Sequence, residues 1–114
     1  MPNDPAALRA AFDARLARLA DHPLVGAVAA DAGGGTVSLV ADRADGRRFD
    51  PAHAAGARLV RFAAANGATL SADGDDVAIP FRADEDADAL DDRFDRIERS
   101  LDDTEAWSWF ENRR

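Results

Sequence analysis

Residues 70–81, LSADGDDVAIPF, carry the clearest folding signal in this sequence. Apolar and polar residues alternate on both sides of Asp73-Gly74, which is the pattern of two strands that each bury one face. Asp-Gly is a preferred dipeptide for a tight turn between antiparallel strands. Pro80 lacks a backbone donor, so we expect the second strand to end there or to lie at a sheet edge. The segment therefore predicts a β-hairpin.

A similar hairpin is predicted upstream, in residues 24–41. Residues 24–30 are small and apolar, and residues 36–41 alternate between polar and apolar side chains. The five residues 31–35 (DAGGG) supply a turn, because glycine adopts positive φ without steric cost. We do not interpret this glycine run as a phosphate-binding loop, because it lacks the spacing and the following Lys-Ser/Thr of such motifs.

Three helices are predicted around the hairpins. Asp4-Pro5 and Asp50-Pro51 each pair a capping side chain with a proline suited to the first turn of a helix. Asn66-Gly67 is a typical helix end, and it predicts that the second helix stops there. The third helix is expected to begin within residues 84–88, where carboxylates favour a helix N-terminus.

The C-terminal part of the third helix is expected to kink or break. Its apolar stripe stops near Asp102, and Asp102 with Glu105 resembles a capping box that opens a new helix. We therefore divide the sequence into a single α+β domain, residues 1–104, and a C-terminal aromatic segment, residues 105–114. That segment is predicted to be a short helix or a docking tail.

The predicted order is α-β-β-α-β-β-α, and the fold class is α+β. We expect two layers, with an antiparallel sheet from the two hairpins packed against three helices. This order is similar to that of type III secretion chaperones and related YbjN-like domains. The resemblance concerns element order alone, and it implies a dimeric binding protein.

The charge composition indicates the solvent of the protein more clearly than its function. The net charge is −8, all 14 basic residues are arginine, and aspartate far outnumbers glutamate. This composition resembles that of proteins from salt-adapted microbes, above all haloarchaea. No cysteine, membrane-length apolar stretch or signal-peptide pattern is evident, so we expect a cytoplasmic protein that does not contact a membrane.

Catalytic signatures are sparse. The sequence holds two histidines, no cysteine and no tyrosine, and none of its serines lies in a nucleophile motif. The acidic clusters lack the spacing of a calcium loop. The residues therefore leave enzymatic activity undecided and weigh against it, and they indicate no catalytic residue, no cofactor and no metal.

One candidate site is an anion-binding loop. Arg47 and Arg48 precede the predicted second helix, His53 lies in its first turn, and Arg58 follows. Free backbone N–H groups at a helix N-terminus attract anions, and arginines nearby would strengthen that attraction. These residues predict, as an alternative function, an RNA- or phosphate-ligand-binding protein.

The leading candidate site is the aromatic end of the sequence. Trp107, Trp109 and Phe110 fall within four consecutive positions, so one helix face cannot bury all three. Exposed tryptophans are enriched at binding hot spots. The main prediction is therefore a small non-enzymatic interaction module that binds a protein partner or a second copy of itself through these aromatics. Packing of the same aromatics onto the domain's own core is the competing interpretation.

Overall fold

The computed structural model describes residues 4–112 and the side chains of residues 4–109. It confirms the α+β class, the two layers and the element order α-β-β-α-β-β-α. The elements are α1 (Pro5–Leu19), β1 (Val25–Asp31), β2 (Gly34–Leu39), α2 (Ala55–Ala65), β3 (Ser71–Asp73), β4 (Asp76–Pro80) and α3 (Ala87–Asn112). None of the helices described combines the length and the hydrophobicity that a bilayer-spanning segment requires.

The four strands form one antiparallel sheet in the order β1-β2-β4-β3. Each predicted hairpin supplies one edge strand and one inner strand, and β2 pairs with β4 at the centre. Gly34 makes this central pairing possible, because a Cβ there would lie 2.2 Å from the carbonyl oxygen of Ile79. The strand β4 ends at Pro80, which confirms the expectation that the strand ends there, and it is an inner strand and not an edge strand.

The helices cover one face of the sheet and leave the other open. Val37, Leu39, Val77 and Ile79 alternate inward and are almost fully buried against helix side chains. The opposite face is built from small residues. Its central cross-strand row consists of Ala29, Thr36, Ala78 and Ser71.

The start of α1 forms as its sequence predicts. The Oδ1 atom of Asp4 accepts a hydrogen bond from the Ala6 N–H at 3.0 Å, and Pro5 occupies the first helical position. An aspartate acceptor at this position satisfies a backbone donor that the helix itself leaves free. Leu8, Phe12, Leu16 and Leu19 are the buried residues of α1.

The helix α3 runs without interruption from Ala87 to Asn112, so a break near Asp102 is wrong, and a kink there stays a prediction. The apolar stripe continues as buried hydroxyls, because Thr104 Oγ1 donates to the Ser100 carbonyl and Ser108 Oγ to the Glu105 carbonyl. Such bonds back to the preceding turn let small polar side chains be buried within a helix. The division at residue 104 into a domain and a separate segment stays a prediction.

Candidate functional site

A cluster of four side chains joins the end of α3 to the start of α2. The Trp107 ring lies 6.0 Å from the Phe49 ring at a 30° tilt, and 6.0 Å from the His53 ring edge-on. The guanidinium carbon of Arg58 lies 4.4 Å from the centre of the same indole. We call Phe49, His53, Arg58 and Trp107 the Trp107 cluster. It combines two of the predicted anion-binding residues with one of the predicted partner-binding residues.

The chain reaches α2 differently from the prediction. The Asp50 side chain accepts from the Ala52 N–H at 3.0 Å, but the turn that it caps is a 3-10 turn, Pro51–His53. Ala54 then adopts a left-handed conformation with φ of 51°, and α2 begins at Ala55. His53 therefore lies before the helix and not in its first turn, so the predicted arrangement of the anion site is wrong in this respect.

No side chain caps the N-terminus of α2, because Ala54 occupies the cap position. The first backbone N–H groups of a helix lack partners within the helix, and they carry the positive end of its dipole. Arg58 is four residues after Ala54, so both lie on the same side of this first turn. The start of α2 therefore combines a dipole end and a guanidinium group.

The remaining predicted anion-binding residues lie elsewhere. Arg47 and Arg48 are both exposed, and Arg47 pairs through its backbone with Asp42 in an isolated bridge. The charge of Arg48 acts instead on Asp75 in the β3–β4 turn. Burial raises the pKa of Asp75, Arg48 lowers it, and the charge of Asp76 raises it further. The predicted set is thus divided, with only His53 and Arg58 meeting at Trp107.

The C-terminal aromatics are also divided. Trp107 is partly buried against the core, whereas 58% of the Trp109 surface is exposed. The side chain of Phe110 lies outside the described residues. Trp109 borders a polar hollow of about 290 Å³, whose wall includes Arg43, Glu105 and Ser108. Partner binding through these aromatics stays a prediction.

Two further hollows were not predicted from the sequence. One, of about 310 Å³, borders the start of α2 through Ala54 and Ala57 and is closed on its far side by Gly74 and Asp75. The other, of about 290 Å³, is lined by residues of the first hairpin, β4 and residues 69–71. The glycine run 33–35 was the available signal for the second hollow, because glycines leave the backbone uncovered there.

His22, Asp102 and Glu105 place possible metal-ligating atoms within 4.8 Å of one another. The histidine geometry does not suit a metal, however. Nδ1 of His22 accepts a hydrogen bond from the Leu24 N–H, and Nε2 lies 2.9 Å from the Asp102 carboxylate. The neutral ring therefore carries its proton on Nε2 and donates a hydrogen bond to Asp102, so neither nitrogen is left for a metal. A metal-binding histidine coordinates the ion with one nitrogen and donates a hydrogen bond from the other. The group is better explained as a hydrogen bond between α3 and the end of α1.

Comparison with known proteins gives one consistent result. No protein-family description and no curated protein matches the sequence. Among solved structures, the chain is similar to a PLP-bound aminotransferase mutant from Vibrio fluvialis, with 22% identity and a TM-score of 0.84 over 91% of this chain. It is also similar to a thermostable omega transaminase from Pseudomonas jessenii, with 27% identity and a TM-score of 0.76 over 90% of this chain.

A third match is a transaminase with L-alanine, at 28% identity and a TM-score of 0.77 over 88% of this chain. The chain spans about a quarter of the length of these proteins, since it covers 23%, 23% and 24% of them respectively. The shared feature is thus the fold of one part of a larger enzyme.

These matches correct the functional prediction. A non-enzymatic interaction module, and its alternative as an RNA- or phosphate-ligand-binding protein, are both contradicted, because the similar structures are aminotransferases. The resemblance in element order to type III secretion chaperones did not indicate the function, because several unrelated two-layer folds share one element order.

Proposed function

We propose that this chain forms one structural unit of an aminotransferase, an enzyme that moves an amino group between an amine and an oxo compound. The observation that supports the proposal is the fold similarity over nine-tenths of the chain, with TM-scores from 0.76 to 0.84. Identities of 22–28% accompany that similarity. The proposal concerns the whole assembly, because a unit of this size corresponds to about a quarter of the enzymes it resembles.

The chain cannot hold pyridoxal phosphate in the usual covalent way. Enzymes that use this cofactor bind it as a Schiff base with a lysine amine. All 14 basic residues here are arginine, and a guanidinium group does not form that Schiff base. The residues present therefore do not fit a covalent cofactor site. Under our proposal, the lysine lies on polypeptide outside these 114 residues, and we assign no step of the reaction to this chain.

We further propose that the assembly works in a salt-rich cytoplasm. The support is the excess of aspartate and the replacement of every lysine by arginine. At roughly 1 M salt the Debye length is about 3 Å, so carboxylates on the surface repel one another only at close range. Assays of the assembly should accordingly be run at the salt concentration of the host.

The proposal is tested on the assembly as the host makes it. The chain is tagged, isolated in host salt, and assayed for transfer of the amino group of L-alanine to a 2-oxo acid acceptor. The matched control is a tagged Phe94→Asp variant, because Phe94 is fully buried and a carboxylate there prevents folding. We expect pyruvate formation with the wild-type sample at a rate well above that of the control. Equal rates in both samples would overturn the proposal.

A further inference from the structure

Arg58 is unusual among the arginines of this chain. Within residues 4–109, five arginines are partly or fully buried: Arg9, Arg15, Arg58, Arg93 and Arg96. Four of the five have a carboxylate oxygen within 3.0 Å. Arg58 has no hydrogen bond or ion pair to any residue in that range. Its Nε atom is enclosed by neighbouring atoms and has no acceptor there.

The missing partner does not reflect a shortage of carboxylates. The sequence contains 22 acidic residues for 14 arginines, so carboxylate partners are available in excess. Removing a guanidinium from water without a compensating acceptor costs free energy. On α3, Asp103 accepts from the Asn66 amide at 3.1 Å and forms no ion pair with Arg58. Arg58 thus differs from the other buried arginines, each of which forms an ion pair with an acidic side chain.

The guanidinium is held in a fixed orientation. One face lies over the Trp107 indole at 4.4 Å, and the indole itself is held between Phe49 and His53. Stacking covers the face of a guanidinium, and because Nε of Arg58 is enclosed, its two terminal Nη groups form the edge that remains for in-plane hydrogen bonds. A carboxylate matches that edge, because two parallel N–H···O bonds fit its two oxygens. An arginine fixed in this way loses little conformational freedom when it binds.

The surroundings of Arg58 favour a small anion. The uncapped N-terminus of α2 adds the positive end of a helix dipole on the same side of the helix. The His53 ring packs edge-on against the same indole, with 6.0 Å between the ring centres. The hollow of about 310 Å³ at the first turn of α2 is lined by Ala54, Ala57 and Asp75 and not by Arg58, so it is not part of the site.

We propose that Arg58, stacked on Trp107, is a binding site for a carboxylate group. The group belongs either to a free organic acid or to an acidic side chain of another polypeptide segment. Both sources present the same planar acceptor to the guanidinium edge. The site does not depend on the aminotransferase proposal, since it rests only on the contacts of Arg58.

The two tryptophans of the chain report on this site directly. The indole N–H signals of Trp107 and Trp109 are followed by NMR during a titration with sodium acetate, with sodium chloride removed to hold ionic strength constant. A second titration uses a capped peptide with one glutamate, and a third uses inorganic phosphate. A Trp109→Phe variant assigns the two signals. Trp109 serves as the internal control, because it lies outside the Trp107 cluster.

We expect a saturable shift of the Trp107 signal with a carboxylate probe and no such shift of the Trp109 signal. A response to acetate identifies a free acid as a sufficient ligand, and a response to the peptide alone identifies an acidic side chain. Arg58→Ala should raise the dissociation constant of the carboxylate probe by at least about tenfold. Arg61→Ala, which removes an exposed arginine one turn further along α2, should leave it unchanged.

Three results would overturn the site. The first is a Trp107 signal that does not respond to either carboxylate probe. The second is equal binding by the wild-type protein and by Arg58→Ala. The third is tighter binding of phosphate than of both carboxylate probes, because the ligand class would then be wrong. Arg58→Lys separates charge from geometry, and we expect it to recover less than half of the lost affinity because lysine lacks the planar fork.

Discussion

Arg15, at the interface between α1 and α3, and Arg58, at the interface between α2 and α3, have opposite surroundings. At the first, Arg15 donates to Asp91, Asp95 and Glu98 at distances of 2.8–3.0 Å. Burial opposes the charge of Arg15, but these hydrogen bonds outweigh it and raise its pKa. At the second, Arg58 lies on an indole without a carboxylate from the described residues. Arg15 thus has all of its ion-pair partners within the chain, whereas the Nη groups of Arg58 have none among the described residues.

The difference shows what the acidic composition provides. A surplus of carboxylates lets each buried arginine of the α1–α3 side be neutralised, including Arg93, whose two bonds to Glu85 are 2.8 and 2.9 Å long. The absence of a carboxylate partner at the partly buried Arg58 therefore sets this residue apart. Substitutions at the two interfaces should have different consequences.

The largest effect is expected from Glu85→Ala. Arg93 is 8% exposed, and its Nη1 atom already lacks an acceptor, so losing Glu85 leaves a buried charge without compensation. Breaking such a buried pair typically costs about 3 kcal/mol or more. Urea unfolding measures the loss, and Asp84→Ala, at an exposed neighbouring position, is the control. A loss below about 1 kcal/mol would show that this pair contributes little.

Trp107→Ala is expected to cost about 2 kcal/mol of unfolding free energy. The side chain is only partly buried, so the loss should be smaller than for a fully buried tryptophan. Trp109→Ala should cost less than about 1 kcal/mol, because most of that side chain is in solvent. Thermal unfolding of both variants tests the division of the C-terminal aromatics. Equal losses would mean that both indoles pack to the same extent.

Arg15→Ala should cost about 1 kcal/mol, a moderate amount for a residue with three partners. Two of those partners, Asp91 and Asp95, have 62% and 64% of their side chains exposed, and solvent weakens such pairs. Arg58→Ala should cost about 0.5 kcal/mol, because the cost of burying an unpaired Nε offsets part of the cation–π contact with Trp107. Urea unfolding in low and high salt compares them. The loss for Arg15 should shrink with salt, and a loss that stays constant would argue against ion pairing.

The smallest effect concerns Asp75. Burial raises its pKa in the folded state above the ordinary value of 3.8, so the folded protein binds the proton more tightly than the unfolded chain does. Stability contributed by this group therefore falls as pH rises from about 3.8 through the folded-state pKa. Asp75→Asn should raise stability at pH 7 by no more than about 0.5 kcal/mol. That difference in stability between Asp75→Asn and the wild-type protein should vanish below pH 3. If the variant were instead more stabilised in acid than at pH 7, the predicted direction of the Asp75 pKa shift would be wrong.

The sequence predicts local structure well where the signal is local. Both hairpins, the cap at Asp4 and the stripes of α1 and α3 depend on residues a few positions apart. The start of α2 was missed because the left-handed conformation belongs to Ala54, and alanine gives no signal for it. The continuation of α3 was missed because Thr104 and Ser108 look polar in sequence, although their hydroxyls bond within the helix.

The site could be predicted only in parts. Arg58, His53 and Trp107 were each identified, but as members of two separate groups. Their meeting depends on how α2 and α3 pack, which no short spacing reveals. Similarity to aminotransferases was not visible either, because the sequence identity is only 22–28%. Fold similarity supports the proposed aminotransferase unit, and under that proposal the absence of lysine places the covalent cofactor site outside these 114 residues.

That proposal is tested most directly by borohydride reduction of the assembly isolated with the tagged chain. Borohydride converts a Schiff base between pyridoxal phosphate and lysine into a stable pyridoxyl-lysine. We expect mass spectrometry to find this modification on a peptide outside these 114 residues, in the wild-type sample and not in the Phe94→Asp control. A wild-type assembly without any pyridoxyl-lysine would contradict the assignment to an aminotransferase.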